Sequence, residues 1–197
     1  MPVLYYVRHG ETDFNVEARL QGRSDIPLNP HGRQQAANSG ALLRDLFARD
    51  HKDPADLAYV ASPLKRARET MEILRGTLGL DPNTYAIDDR LVEISYGDWE
   101  GFTLPEIDAR TPGVMAQRER DKWGFAPPGG ESYRELTQRI SAWYAALTRD
   151  TVAAAHGGGV RALMTLINAM PPEEATRAPI AQGGVYVFAD GKMTLYP

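Results

Sequence analysis

Residues 3–12 read Val-Leu-Tyr-Tyr-Val-Arg-His-Gly-Glu-Thr, an unbroken β-favouring run that stops on Arg8, His9 and a glycine. A run without polar alternation is expected of a strand covered on both faces of a sheet. The signature recurs twice: Leu57-Ala-Tyr-Val-Ala61 precedes Ser62-Pro63, and Thr151-Val-Ala-Ala-Ala155 precedes His156-Gly157. Helical patterns lie between and after these runs. One begins at Pro63, with Ser62 as its expected N-cap, and puts Leu64, Ala67, Met71, Leu74 and Leu78 on one face. A second opens on a Ser132–Glu135 capping box and carries Leu136, Ile140, Trp143 and Leu147. A third carries Val160, Leu163, Met164 and Ile167 and is expected to stop at Pro171-Pro172, and a weaker helix is expected over about 32–49. From Val185 to Tyr196, Asp190-Gly191 separates two strand-like runs, the pattern of a β-hairpin.

This alternation predicts an α/β fold, a three-layer α/β/α sandwich with a mostly parallel central sheet and an antiparallel edge. A chain of 197 residues with 43% apolar content is sized for one core, so residues 1–197 are read as a single domain. Residues 102–131 are rich in proline, glycine and charge, which predicts a lid-like insertion of short helices and loops. In and beside it, Trp99, Trp123, Arg118 and Arg120 suit either recognition of a leaving group or ordinary packing and solvated surface.

Composition narrows the partners. A net charge of −4 argues against a nucleic-acid ligand, and no apolar stretch approaches membrane-spanning length. The absence of cysteine removes disulfides and thiolate chemistry and fits a reducing compartment. With no basic leader ahead of the first run, the expected location is the cytoplasm. The chain has no Walker loop, His-Glu-x-x-His helix or carboxylate cluster of metal-ligand spacing, so neither a metal nor another cofactor is expected. The hairpin edge suits either a homodimer contact or simple closure of the sheet.

Ligands of open α/β sheets bind beyond the carboxyl ends of the strands. The three predicted ends deliver Arg8, His9 and Gly10; then Ser62 and Arg66; then His156 with Gly157, Gly158 and Gly159 leading into a helix. Two histidines, two arginines and a glycine-rich helix start converging on one edge suit a phosphate dianion. Each piece alone is commonplace; their joint occurrence at three strand ends carries the reading. His31 and His51 sit in polar or charged surroundings and are assigned no role.

The order of these pieces, Arg8-His9-Gly10-Glu11-Thr12, Asn15, Gln21-Gly22, Asp25 to Leu28, Ser62-Pro-Leu-Lys-Arg66 with Arg68 and Thr70, Glu93, Gly97-Asp-Trp-Glu-Gly101, Gly129-Gly-Glu-Ser132 and His156-Gly157-Gly158, resembles the successive motifs of the histidine phosphatase superfamily. The resemblance spans roughly residues 3–162 and implies a phosphoglycerate-mutase-like fold. It also implies that His9 is the nucleophile, that Arg8, Arg66 and His156 neutralise the phosphoryl oxygens, and that Glu93 gives and takes the proton. By the same similarity Asn15, Gln21, Gly22, Arg68 and Gly157 complete the pocket. Glu93 has a plainer reading as an ion-pair partner of the arginines. Two positions depart from the pattern: Ala155, where a hydroxyl residue is common, and Gly159, where an apolar residue is common. Both are expected to loosen the packing behind His156 without removing a chemical group.

The implied activity is metal-independent hydrolysis of a small phosphorylated metabolite. The alternatives are a cofactor-dependent phosphoglycerate mutase and a silent phosphoester-binding module. The segment between Glu93 and His156 is short for a mutase, and residues 19–25, Arg-Leu-Gln-Gly-Arg-Ser-Asp, differ from the mutase pattern. An esterase reading of His156-Gly157-Gly158-Gly159 fails for lack of a Gly-x-Ser-x-Gly nucleophile, and a dinucleotide reading of Gly157 to Ala162 fails because it falls on the last parallel strand.

Overall fold

The computed structural model describes residues 2–197. Its strands are β1 (Leu4–Arg8), β2 (Ala58–Ala61), β3 (Ala86–Ile87), β4 (Thr151–Ala155), β5 (Val185–Ala189) and β6 (Lys192–Tyr196). They form one sheet in the order β3-β2-β4-β1-β5-β6. The first four run parallel, while β5 is antiparallel to β1 and β6 to β5. The hairpin turn places Asp190 and Gly191 at φ +51° and +73°, the left-handed pair that matches strand twist in a two-residue turn.

The helices are α1 (Asp13–Val16), α2 (Pro30–Arg49), α3 (Lys65–Thr77), α4 (Leu104–Arg110), α5 (Val114–Arg120), α6 (Tyr133–Ala145), α7 (Gly157–Ile167) and α8 (Pro172–Ala175). On one face of the sheet Tyr5, Val7 and Val152 pack with Leu43 and Phe47 of α2 and Met71 and Leu74 of α3. On the other, Leu4, Tyr6 and Ala153 pack with Leu136, Ile140 and Trp143 of α6 and Leu163 of α7. Alternate residues of β1 thus enter two different cores, which is why its sequence is apolar throughout. Among the described residues no helix is long and apolar enough to cross a membrane.

Several boundaries differ from the sequence reading. Helix α2 begins at Pro30, because the Asn29 side chain accepts from the Gly32 amide at 2.8 Å. Helix α3 begins at Lys65, and Ser62 is not its cap; Leu64 holds that position in an extended conformation with no side-chain hydrogen bond. Helix α7 ends at Ile167, before the prolines. Ala169 turns left-handed at φ +51° and the Met170 amide donates to the Met164 carbonyl at 3.2 Å, closing the last turn. Pro172 instead opens α8.

Residues 102–131 hold α4 and α5 with connecting loops. Trp99, Ile107 and Val114 form a small core of their own with Leu20, Phe102 and Phe125 packed against it, and Trp123 stacks on Tyr133. Packing is therefore what the structure assigns to Trp99 and Trp123.

Leu74 is fully buried between α3 and the sheet. Leu74→Ala should destabilise the protein by roughly 2–5 kcal/mol, the usual range for an unfilled leucine cavity, and urea unfolding measures it.

Candidate active site

Register decides which side chains meet. Arg8 lies opposite Ala155 and Ala61 opposite Ala154, so the residues that follow these strand ends emerge side by side. The His9 amide donates to the Ala155 carbonyl at 2.9 Å and the Ser62 amide to the Ala154 carbonyl at 3.0 Å. The His9 and His156 rings meet edge to face with centroids 5.2 Å apart. His9 borders a cavity of about 180 Å³ whose wall also includes Arg8, Asn15, Arg19, Leu20, Gln21, Gly22, Arg66, Glu93, Tyr96, Gly157 and Arg161.

His9 is 2% exposed, and its Nδ1 lies 2.7 Å from the Gly10 carbonyl. A carbonyl only accepts, so Nδ1 carries the proton and neutral His9 keeps a lone pair on Nε2. Burial, then the charges of Arg66 and Arg8, hold the His9 pKa well below its ordinary value, with the Gly10 carbonyl opposing them. His156 lies behind the cavity wall at 1% exposure. Burial first, and then Arg66 and His9, push its pKa well below the ordinary value too. Its Nε2 is 2.7 Å from Ser62 Oγ, while its Nδ1 is buried without a partner. The hydroxyl missing as a helix cap is thus the hydroxyl that orients His156.

Three guanidinium groups share one arrangement. Arg8 donates through Nη1 to the Ile180 carbonyl. Arg66 donates through Nη1 to Ser24 O and through Nη2 to Gly22 O, both at 2.7 Å. Arg161 donates to Ala178 O at 3.0 Å. In all three, Nε is buried and unpartnered, and among the described residues none of the three has a carboxylate partner. Burial lowers the Arg66 pKa to about 10 against the opposing charges of Glu93, Asp25 and Glu100, so the group stays charged at neutral pH.

Glu93 accepts from its neighbour's Ile94 amide at 2.8 Å and from the Gly158 amide at 3.4 Å. Among the described residues it makes no ion pair, against the plainer reading of it as an arginine's partner. The backbone around it is fixed by Arg139, which donates to the Glu93 carbonyl at 3.1 Å and forks onto Glu131 with two contacts of 2.8 Å.

The other expected residues divide. Gln21, Gly22, Asn15 and Gly157 border the cavity. Asn15 Oδ1 accepts from the Thr12 amide at 3.1 Å, and Gln21 Oε1 accepts from Thr12 Oγ1 at 2.8 Å. Arg68 does not join them: two residues from Arg66, it falls on the opposite side of α3 and is exposed. Residues 102–131 contribute nothing to this cavity wall; Arg118 pairs with Glu119 and Arg120 is exposed. Arg161 and Tyr96 were not anticipated. The signal for Arg161 was its place four residues after Gly157 on one helix face. Burial raises the Tyr96 pKa well above its ordinary value, which keeps its phenol a neutral donor.

The departure at Gly159 has a physical partner. The Tyr6 hydroxyl donates to the His156 carbonyl at 3.1 Å and accepts from the His156 amide at 3.2 Å. A Cβ on Gly159 would stand 2.1 Å from that hydroxyl. The expected loosening behind His156 is therefore absent, because the tyrosine fills the space that a larger residue 159 would need.

Two histidines and three guanidinium groups without ion-pair partners, gathered at the carboxyl ends of parallel strands, define an α/β protein with a cavity suited to an oxyanion. The sequence profile of the histidine phosphatase superfamily (branch 1) matches residues 4–192, and the chain belongs to that superfamily. It is 36% identical over 198 residues to the uncharacterised phosphatase PhoE of Bacillus subtilis, covering 98% of this chain and 91% of that one. It is 31% identical over 197 residues to a 2,3-bisphosphoglycerate-dependent phosphoglycerate mutase of Cytophaga hutchinsonii, covering 95% and 87%. The solved structure of a mycobacterial glucosyl-3-phosphoglycerate phosphatase superposes with a TM-score of 0.79 at 30% identity, covering 94% of this chain and 89% of the other.

Two outcomes follow. Tyr6→Phe leaves a buried amide without its acceptor and should cost about 1–3 kcal/mol in urea unfolding. His9 and His156 resist protonation in the folded state but not in the unfolded chain, so below pH 6.5 the unfolded state binds more protons and stability falls. The slope for each histidine approaches about 1.4 kcal/mol per pH unit. Urea midpoints measured from pH 7.5 to 5.5 should decline, and His9→Asn should decline less steeply.

Proposed function

We propose that this chain is a metal-independent phosphatase that hydrolyses a small phosphomonoester through a phosphohistidine on His9. The observation that carries the reading is the Gly10 carbonyl at 2.7 Å from His9 Nδ1, which leaves Nε2 unprotonated in a cavity walled by guanidinium groups.

Nε2 of His9 attacks phosphorus in line with the ester oxygen; the Nε2–P bond forms as the P–O bond breaks. Glu93 gives a proton to the leaving oxygen. Water then attacks the phosphohistidine, Glu93 takes up the proton, and His9 leaves as the neutral imidazole. Arg8 and Arg66 neutralise the charge on the transferring oxygens, with the Nδ1 of His156 and the first amides of α7 as further donors. Fixed cations and dipoles can supply the charge that other phosphoryl-transfer sites take from a metal. Asn15, Gln21, Gly22 and Gly157 shape the pocket, and Arg161 and Tyr96 join them on the leaving-group side. A cavity of about 180 Å³ favours a small substrate.

A phosphoglycerate mutase is the second reading, carried by the mutase relative; it would transfer phosphate between phosphoglycerate isomers only with a bisphosphoglycerate primer. Phosphate release from a panel of phosphomonoesters, with a chelator present, tests the first. Wild type should hydrolyse at least one ester, His9→Ala should lose about 10³-fold or more, and Glu93→Gln about 10²–10⁴-fold with inorganic phosphate still bound. Normal release by His9→Ala, or loss of wild-type release on chelation, would contradict it.

A further inference from the structure

Glu100 lies outside the cavity wall, yet its carboxylate gathers the backbone on which Arg66 rests. Oε1 accepts from the Arg23 amide at 2.9 Å and from the Tyr96 amide at 3.1 Å. Oε2 accepts from the Ser24 amide and from Ser24 Oγ, both at 3.0 Å. The Arg23 and Ser24 amides belong to the same short loop whose carbonyls, at Gly22 and Ser24, hold the two Nη groups of Arg66 at 2.7 Å. The loop sits close: Gly22 has φ +50°, and a Cβ there would stand 2.1 Å from Glu100 Oε1. Tyr96, tied to the same oxygen, walls the cavity from the other side.

The geometry points to Glu100 as a positioning residue that fixes the guanidinium of Arg66 through the loop 22–24, although Glu100 touches no reacting atom. The inference rests on reading the cavity as a phosphoryl site. Both oxygens of Glu100 face donors, so the position requires an acceptor at each end. An amide has one, and a glutamine would turn an N–H₂ toward a backbone N–H. The loop would then relax, and with it the two carbonyls that aim Arg66. A forked donor loses much of its value when it is misaimed by about 1 Å.

The test is a double-mutant cycle on the full chain, with inorganic phosphate as the ligand in calorimetry and an aryl phosphate as substrate. Glu100→Gln should weaken phosphate binding about tenfold or more and lower kcat more than it raises KM for the ester. In an Arg66→Lys background, where the fork is already gone, the same change should move phosphate affinity less than about threefold. Glu100→Asp keeps both acceptors and should recover part of the loss. Equal losses in both backgrounds, or unchanged phosphate affinity in Glu100→Gln, would overturn the proposal. Should either variant fail to fold, the Arg66 Nε–H resonance in Glu100→Asp decides: a shift or broadening against wild type is expected, and an unchanged resonance overturns it. The phosphate and resonance measurements read Glu100 even if no ester is hydrolysed, so failure of the phosphatase reading stays distinguishable.

Discussion

Three guanidinium groups, each with a buried and unpartnered Nε–H and, among the described residues, no ion-pair partner, are the constraint on which the rest of this molecule depends. Arg8, Arg66 and Arg161 are kept at the carboxyl ends of β1, β2 and β4 by backbone carbonyls, and each leaves a buried Nε–H unpartnered. Burying charge is costly unless hydrogen bonds and an opposite charge offset it. The hydrogen bonds come from loops distant in sequence: residues 22 and 24 for Arg66, 178 for Arg161 and 180 for Arg8. The cations are thus held only where those loops close over the strand ends. A multiply charged oxyanion is the natural complement to what remains.

The state of the histidines follows from the same field. Burial first, and then the charges of Arg66 and Arg8, disfavour a further proton on His9, and burial followed by Arg66 acts likewise on His156. A neutral imidazole with Nδ1 committed to a carbonyl has only Nε2 to offer. The cations that would bind the phosphoryl oxygens thus add to burial in keeping the proposed nucleophile unprotonated. Behind His156, the Tyr6 hydroxyl satisfies both backbone groups of that residue, so the second histidine is fixed from the backbone as well as through Ser62.

Much of this was legible in the sequence, because buried parallel strands write themselves as continuous apolar runs. The ends of β1, β2 and β4 were readable for that reason, and with them His9, Arg66 and His156. Strand β3 was not: Ala86–Ile87 is two exposed residues at a sheet edge, too short for any periodicity. Ser62 was misread because a serine before a proline and an apolar helix satisfies the local rule for a cap, while its real partner lies 94 residues away. Arg68 failed for a related reason, since its motif neighbour Arg66 points the other way around α3. Arg161 carried only the weak signal of its spacing from Gly157, Glu100 stood inside the motif 97–101 with no partner legible, and Tyr96 carried no signal, because the contacts of Arg161 and Glu100 run to carbonyls and amides that have no residue-specific signature. The aromatic residues at 99 and 123 left recognition and packing equally open in the sequence; Trp99 packs in a small core and Trp123 stacks on Tyr133 against the main one.

The most direct measurement is a rapid alkaline quench of the protein with a ³²P-labelled phosphomonoester that it turns over, followed by mapping of the labelled peptide. An acid-labile, base-stable label on His9 within the first turnover is expected. Turnover with no covalent label, or with the label on another residue, would contradict a phosphoryl group carried on His9.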